Sequence, residues 1–132
     1  MDWIPERYVD LFKDESKAFG CLATLMKNGS PQATPIWFNT DGTYILINSA
    51  KGRVKDRNMR RNPEVALVIT DPKDPYRYIQ IRGKVIEITT NGAREHIDAL
   101  SKKYTGRDKY SSGSAGEIRV IYKIQPESVD SH

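Results

Sequence analysis

Asn28-Gly29 falls between two apolar runs, "AFGCLATLM" and "PQATPIWFN", and constrains the fold more than any other feature of the chain. An Asn-Gly pair supplies the positive backbone angles of a tight hairpin turn, so the two runs are predicted to be antiparallel neighbours. "TDG" at 40–42 closes the second strand in the same way and opens a third, "TYILINS". The first half is therefore expected to be an antiparallel meander. "EVALVIT", rich in β-branched residues, the long "YRYIQIRGKVIEIT" and a last run, "EIRVIYKIQP", supply further strands. Gly83 inside the long run predicts a bend or bulge. Ile118, Val120, Tyr122 and Ile124 alternate onto one face of the last strand.

Three short helices separate or flank these strands. Pro5 opens "PERYVDLFK", in which Ile4, Tyr8, Leu11 and Phe12 recur at helical spacing. A basic helix over 52–61 ends before Pro63, and "NGAREHIDALSKKYTG" places Ala93, Ile97, Leu100 and Tyr104 on one stripe. "SSGSAG" at 111–116 reads as a flexible loop. Residues 1–132 are thus expected to form one mainly β domain with short helices (α+β), a six-stranded antiparallel barrel rather than a doubly wound parallel sheet.

Several chemistries are excluded by counting. Cys21 is the only cysteine, so no intrachain disulfide and no cysteine metal cluster can form, and a reducing cytoplasm is the expected compartment. Cys21 itself lies in an apolar run and is expected in the core. His96 and His132 are the only histidines, too few for a histidine metal site; His96 is expected on a helix surface. No stretch is long and apolar enough to span a membrane, and the acidic, polar start does not read as a leader.

Charge is concentrated in one place. The chain carries 21 Lys+Arg against 17 Asp+Glu, whereas Lys51 to Arg61 alone hold six basic residues and one acid. A single basic patch on an otherwise balanced chain points to one anionic ligand site, with a solvated helix face as the alternative.

The succession "INSAKGRVKDRNMRRNPEVALVI", loop, "YRYIQIRGKVIEI" resembles the pyridoxamine 5'-phosphate oxidase-like split β-barrel family, FMN-binding-like in fold, and most of all its small F420H2-dependent reductases. "PQATPIWF", "GRVKDRN" followed by "NPEVALV", and "YRY" leading into "IQIRGKV" carry the resemblance over nearly the whole chain. It implies a homodimer with a flavin or deazaflavin at the subunit interface, touching both chains. Vitamin oxidases of the family continue into a further C-terminal segment, so a chain stopping at "QPESVDSH" is not expected to be one; "GRVKDRNMRRNP" and "YRY" look more like the deazaflavin branch, which implies a reductase using F420, with FMN as the alternative cofactor.

The resemblance assigns roles residue by residue. Arg53 and Lys55 would hold the cofactor phosphate, with Ser49 and Asn58 as neutral partners; Gln32, Pro35 and Ile36 would border the ring. Tyr76 and Tyr78 would approach the cofactor of the other subunit, Tyr78 as a possible proton donor. Arg57, Arg60 and Arg61 would meet the anionic tail. On an ideal helix Arg53 falls with these three arginines, and Lys55 points elsewhere. Trp37 is expected to pack in the core. The implied reaction is hydride transfer from reduced deazaflavin to an electron-poor double bond or conjugated carbonyl of a small molecule, hydride chemistry belonging to the cofactor and binding to the protein. A nucleic-acid-binding barrel, with Tyr76 and Tyr78 as stacking platforms, is the alternative from a different class.

Overall fold

The strand predicted over 31–39 is divided at one residue, and that division closes the molecule. In the computed structural model, which describes residues 2–111, 113 and 115–131, β1 (Phe19–Leu25) pairs antiparallel with β2 (Pro31–Ile36). After Trp37 the chain continues as β3 (Phe38–Thr40), which pairs instead with β4 (Ile45–Ala50). With β5 (Glu64–Asp71), β6 (Asp74–Thr89) and β7 (Arg119–Ser131), the sheet order is β2-β1-β5-β6-β7-β4-β3. β2 and β3 form its two edges yet adjoin in sequence, so the sheet rolls into a barrel. The expected six strands become seven because the second changes partner midway.

Alternation decides what the barrel encloses. Leu22, Phe38, Ile47, Leu67, Ile69, Ile79, Ile81, Val120, Tyr122 and Ile124 are at most 1% exposed. The opposite face of β1 carries Phe19, Cys21, Ala23 and Leu25, none of them buried; Cys21 is exposed, against the expectation of a core thiol. On β7, Ile118 precedes the strand and is half exposed, and the strand runs past Pro126 to Ser131, pairing with β6 along its length.

Helix α1 (Val54–Arg61) follows β4 and buries Met59 in the core. Helix α2 (Ala93–Thr105) buries Ala93, Ile97 and Leu100 of its predicted stripe, and the fourth member, Tyr104, is half-buried. The N-terminal stripe also holds, but as a 3-10 helix over Glu6–Phe12. Of the first turn's signal, only Gly29 is left-handed (φ 88°); Asn28 instead accepts the Ser30 N–H on its side chain. His132 and the loop residues Ser112 and Ser114 lie outside the described residues. Among those described, no helix is long and apolar enough to cross a membrane, and no three His, Cys, Asp or Glu side chains group as a metal site.

Candidate functional site

Beside the N-terminus of α1 lies a cleft of about 240 Å³, lined by Phe19, Pro35, Ile36, Trp37, Asn48, Arg53, Lys55, Ile97, Leu100, Tyr110 and Arg119. One wall is aromatic. Phe19 and Tyr104 stack at 5.3 Å, Trp37 stacks on Tyr104 at 5.3 Å with planes 12° apart, and Tyr110 meets Trp37 edge-on. Trp37 is half-buried rather than in the core, because the partner switch between β2 and β3 turns it out of the barrel.

The other wall is cationic. Arg53 precedes α1 as its N-cap residue, so it leaves the helix before its own turn and lies with Lys55 in the cleft, not with Arg57, Arg60 and Arg61. Arg119, at the start of β7, is the third cation. Glu117 bridges two of them, accepting from Arg119 Nη1 at 2.7 Å and from Arg53 Nη2 at 3.0 Å. Arg119 also donates Nε–H to Asn48 Oδ1 at 2.9 Å and lies over the Tyr110 ring. Lys55 has no hydrogen-bond or ion-pair partner among the described residues. Burial lowers its pKa, and repulsion by Arg53 and Arg119 lowers it further. A half-buried ammonium next to two guanidiniums costs free energy that a bound anion would recover.

Three further basic side chains of the patch, Arg57, Arg60 and Arg61, are tied to the protein's own acceptors. Arg60 pairs with Asp56 at 2.9 Å, Arg57 donates to the Gly52 carbonyl at 2.7 Å, and Arg61 reaches Asn58 Oδ1 and the Leu25 carbonyl. Asp56 is itself buried. It accepts from the Gly52 N–H, the Tyr122 hydroxyl and Arg60, which outweigh the upward push of burial and hold its carboxyl below the ordinary value.

Of the predicted site residues, Pro35, Ile36, Arg53 and Lys55 come together in the cleft. Ser49 and Asn58 do not line it. Ser49 shares the inward face of Ile45 and Ile47, its hydroxyl buried and unpartnered among the described residues, and the Asn58 amide is spent on Thr24 and Arg61. Gln32 faces inward and accepts from Thr24. Tyr76, 86% exposed, and Tyr78 stand on the outer face of β6, away from their own chain's cleft. Arg119, Asn48, Glu117 and the aromatic wall were missed: a lone arginine ahead of an apolar strand carries no signal in sequence, and aromatic spacing fits core packing equally well.

His96 is not a surface residue. It is half-buried on α2, its pKa lowered to about 4 by burial and by Arg119, with its ring nitrogens 3.0 Å from Asn48 Nδ2 and 2.8 Å from Asn39 Oδ1.

Residues 4–132 match the family described as pyridoxamine 5'-phosphate oxidase. The chain belongs to that family. A solved structure described as an F420 reductase is 32% identical, with 96% of this chain and 98% of that one covered and a TM-score of 0.82. Rv2991 of Mycobacterium tuberculosis, a conserved hypothetical protein, is 23% identical over 97% of this chain and 84% of its own (TM-score 0.74). General Stress Protein 26 of Bacillus anthracis is 17% identical over 96% and 91% (TM-score 0.68), a likeness of fold alone. Family and F420 reductase likeness together support an oxidoreductase of the flavin or deazaflavin kind.

Proposed function

We propose that the cleft receives the phosphate end of F420 and that the protein is an F420H2-dependent reductase of small molecules. One observation carries this reading: Lys55 lies without an anionic partner beside Arg53 and Arg119, at the mouth of an apolar, aromatic-walled cleft. Arg53 and Arg119 retain guanidinium N–H groups beyond those given to Glu117, matched to phosphate oxygens, while Lys55 adds a point charge. Pro35, Ile36 and Trp37 supply a flat apolar border for a ring. When bound, reduced deazaflavin supplies the hydride. This chain's residues bind the phosphate, orient the ring and keep water from it.

One chain's cleft is smaller than the roughly 300–1,000 Å³ usual for cofactor-sized ligands, so a second copy completes it. The outer faces of β2, β1 and β5 are the surface for that copy: Pro31, Ala33 and Pro35, then Phe19, Cys21, Ala23 and Leu25, then Ala66 and Val68, small or apolar and none buried. The exposed Tyr76 and neighbouring Tyr78 of one chain would then reach the cleft of the other, Tyr78 as a proton donor to the reduced substrate.

The test is a titration of the apo protein with F420 and FMN in parallel, repeated with Lys55→Met. Saturation by F420 at one per chain, weakened in the variant, is the expected result. Tighter binding of FMN would transfer the reading to that cofactor, and binding of neither would end it.

A further inference from the structure

The orientation of one amide in the cleft is dictated by its neighbours. An arginine can only donate, so the Asn48 atom facing Arg119 Nε at 2.9 Å is its oxygen. The Asn48 nitrogen therefore faces the other way, donating to the Ala93 carbonyl at 2.9 Å and toward His96 Nδ1 at 3.0 Å. His96 Nδ1 must then accept, which leaves the ring proton on Nε2, directed at Asn39 Oδ1 2.8 Å away. A single ordered chain of hydrogen bonds runs from β3 through α2 and β4 to the cationic wall.

We propose that His96 is a positioning residue for the cleft: acting through Asn48, it fixes the direction in which Arg119 presents its guanidinium to a bound anion. The Arg119 side chain is 5% exposed and is held at Nε by Asn48 and at Nη1 by Glu117. Releasing the Nε contact leaves one of two anchors, and a bidentate donor gains strength from fixed geometry. Without His96 the Asn48 nitrogen keeps only the Ala93 carbonyl and one of its two hydrogens is left unpaired in a half-buried site; His96 is the second acceptor that holds the amide with its oxygen toward Arg119. The inference rests on the reading of the cleft as an anion site.

The probe is F420, titrated into full-length protein whose fold is checked by thermal unfolding. His96→Leu removes both contacts, and His96→Asn, too short to span Asn39 and Asn48, is a second interrupting variant. His96→Gln can accept toward Asn48 and donate toward Asn39. Either interrupting variant is expected to weaken F420 by about tenfold, as loss of one well-placed charged hydrogen bond does, with His96→Gln within about threefold of the parent. In an Arg119→Met background His96→Leu should cause no further loss, an outcome that general disruption would not produce. Equal losses in both backgrounds, or parent-like binding by both interrupting variants, overturn the inference. Should Arg119→Met bind like the parent while Lys55→Met is weakened, the inference falls and the anion site stands. Should both bind like the parent, the anion site falls and takes the inference with it.

Discussion

Tyr122, in the buried run of β7, donates its hydroxyl to Asp56 Oδ1 at 2.5 Å, joining the barrel core to the one acid of the basic helix. The same carboxylate holds the Gly52 N–H at 2.9 Å and Arg60, so a single buried charge fixes the entry into α1 from which Arg53 and Lys55 reach the cleft. Asp56→Ala leaves the buried Tyr122 hydroxyl without its partner and removes the acceptor of the Gly52 N–H and of Arg60, which predicts a loss of about 2–4 kcal/mol of stability. Tyr122→Phe, which leaves Asp56 two donors, should cost about 1.5–3 kcal/mol. Urea unfolding of both variants checks the order. Because the Asp56 carboxyl is held below its ordinary value, its contribution is present above that value and fades as pH falls.

The basic residues of the patch separate into two groups. Lys55→Met or Arg53→Ala should each cost about 1.5–3 kcal/mol of F420 affinity, the range for hydrogen bonds to charged groups, with less effect on turnover at saturating cofactor. Arg61→Ala, whose guanidinium meets Asn58 and the Leu25 carbonyl, should cost under about 1 kcal/mol of affinity, shrinking further as salt is raised. Titration at two ionic strengths distinguishes the groups. A loss at Arg61 equal to that at Lys55 would mean the ligand lies along the exposed helix instead.

Where local chemistry decides structure, the sequence was readable. The stripes Ile4–Tyr8–Leu11–Phe12 and Ala93–Ile97–Leu100 are buried as their spacing demands, and the Arg53–Lys55 pair does reach a cleft. What escaped depends on the partner each segment meets. "PQATPIWF" reads as one strand, and only the rolled sheet makes its halves pair with β1 and β4 and turns Trp37 out between them. Cys21 could not be placed because an unbroken apolar run hides the alternation that exposes it. His96, three residues after Ala93 and four before Leu100, borders the buried stripe of α2, and β3 and β4 packing beside that edge enclose it.

The bulge predicted at Gly83 gives a sharp test of packing. β6 shifts register against β7 between Arg82 and Gly83, and a Cβ on Gly83 would lie 2.3 Å from the Gln125 carbonyl oxygen and 3.3 Å from Pro126 Cα. These are backbone atoms of a paired strand, unable to swing aside. Gly83→Ala should therefore destabilise the protein by about 1–3 kcal/mol or more, the cost of forcing extra volume into a packed site. Thermal unfolding measures it, and an unchanged midpoint would mean that the strands separate easily there.

Ala23 tests the proposed dimer. It lies on the outer face of β1, in register with Ala33 on β2 and Ala66 on β5. Sedimentation of the parent should give twice the 15.0 kDa chain mass. Ala23→Arg places an unpaired charge in the middle of this face, and like charges brought together by two-fold symmetry cost several kcal/mol. The variant should sediment as folded monomer and lose F420 binding together with its dimer. A parent that is monomeric at micromolar concentration removes the second copy from the site.

His96 predicts how stability responds to mild acid. Its folded pKa is lowered to about 4 from an ordinary 6.5, so between these values the unfolded chain binds a proton that the folded chain does not. Stability therefore falls as pH is lowered through this window. The contribution is fully present above 6.5 and lost on approaching 4; at 1.36 kcal/mol per pH unit it amounts to about 2–3 kcal/mol, allowing for partial exposure of the ring. Carboxylates held low, Asp56 among them, add to the loss in the parent, but they are shared by His96→Gln, whose side chain does not titrate. Urea unfolding at pH 7 and pH 4.5 should thus show the gap between parent and His96→Gln changing in the variant's favour on acidification. Parallel behaviour of the two would mean that the imidazole accepts its proton without disturbing Asn39 and Asn48, and that the hydrogen-bond chain leading to Arg119 tolerates either charge state.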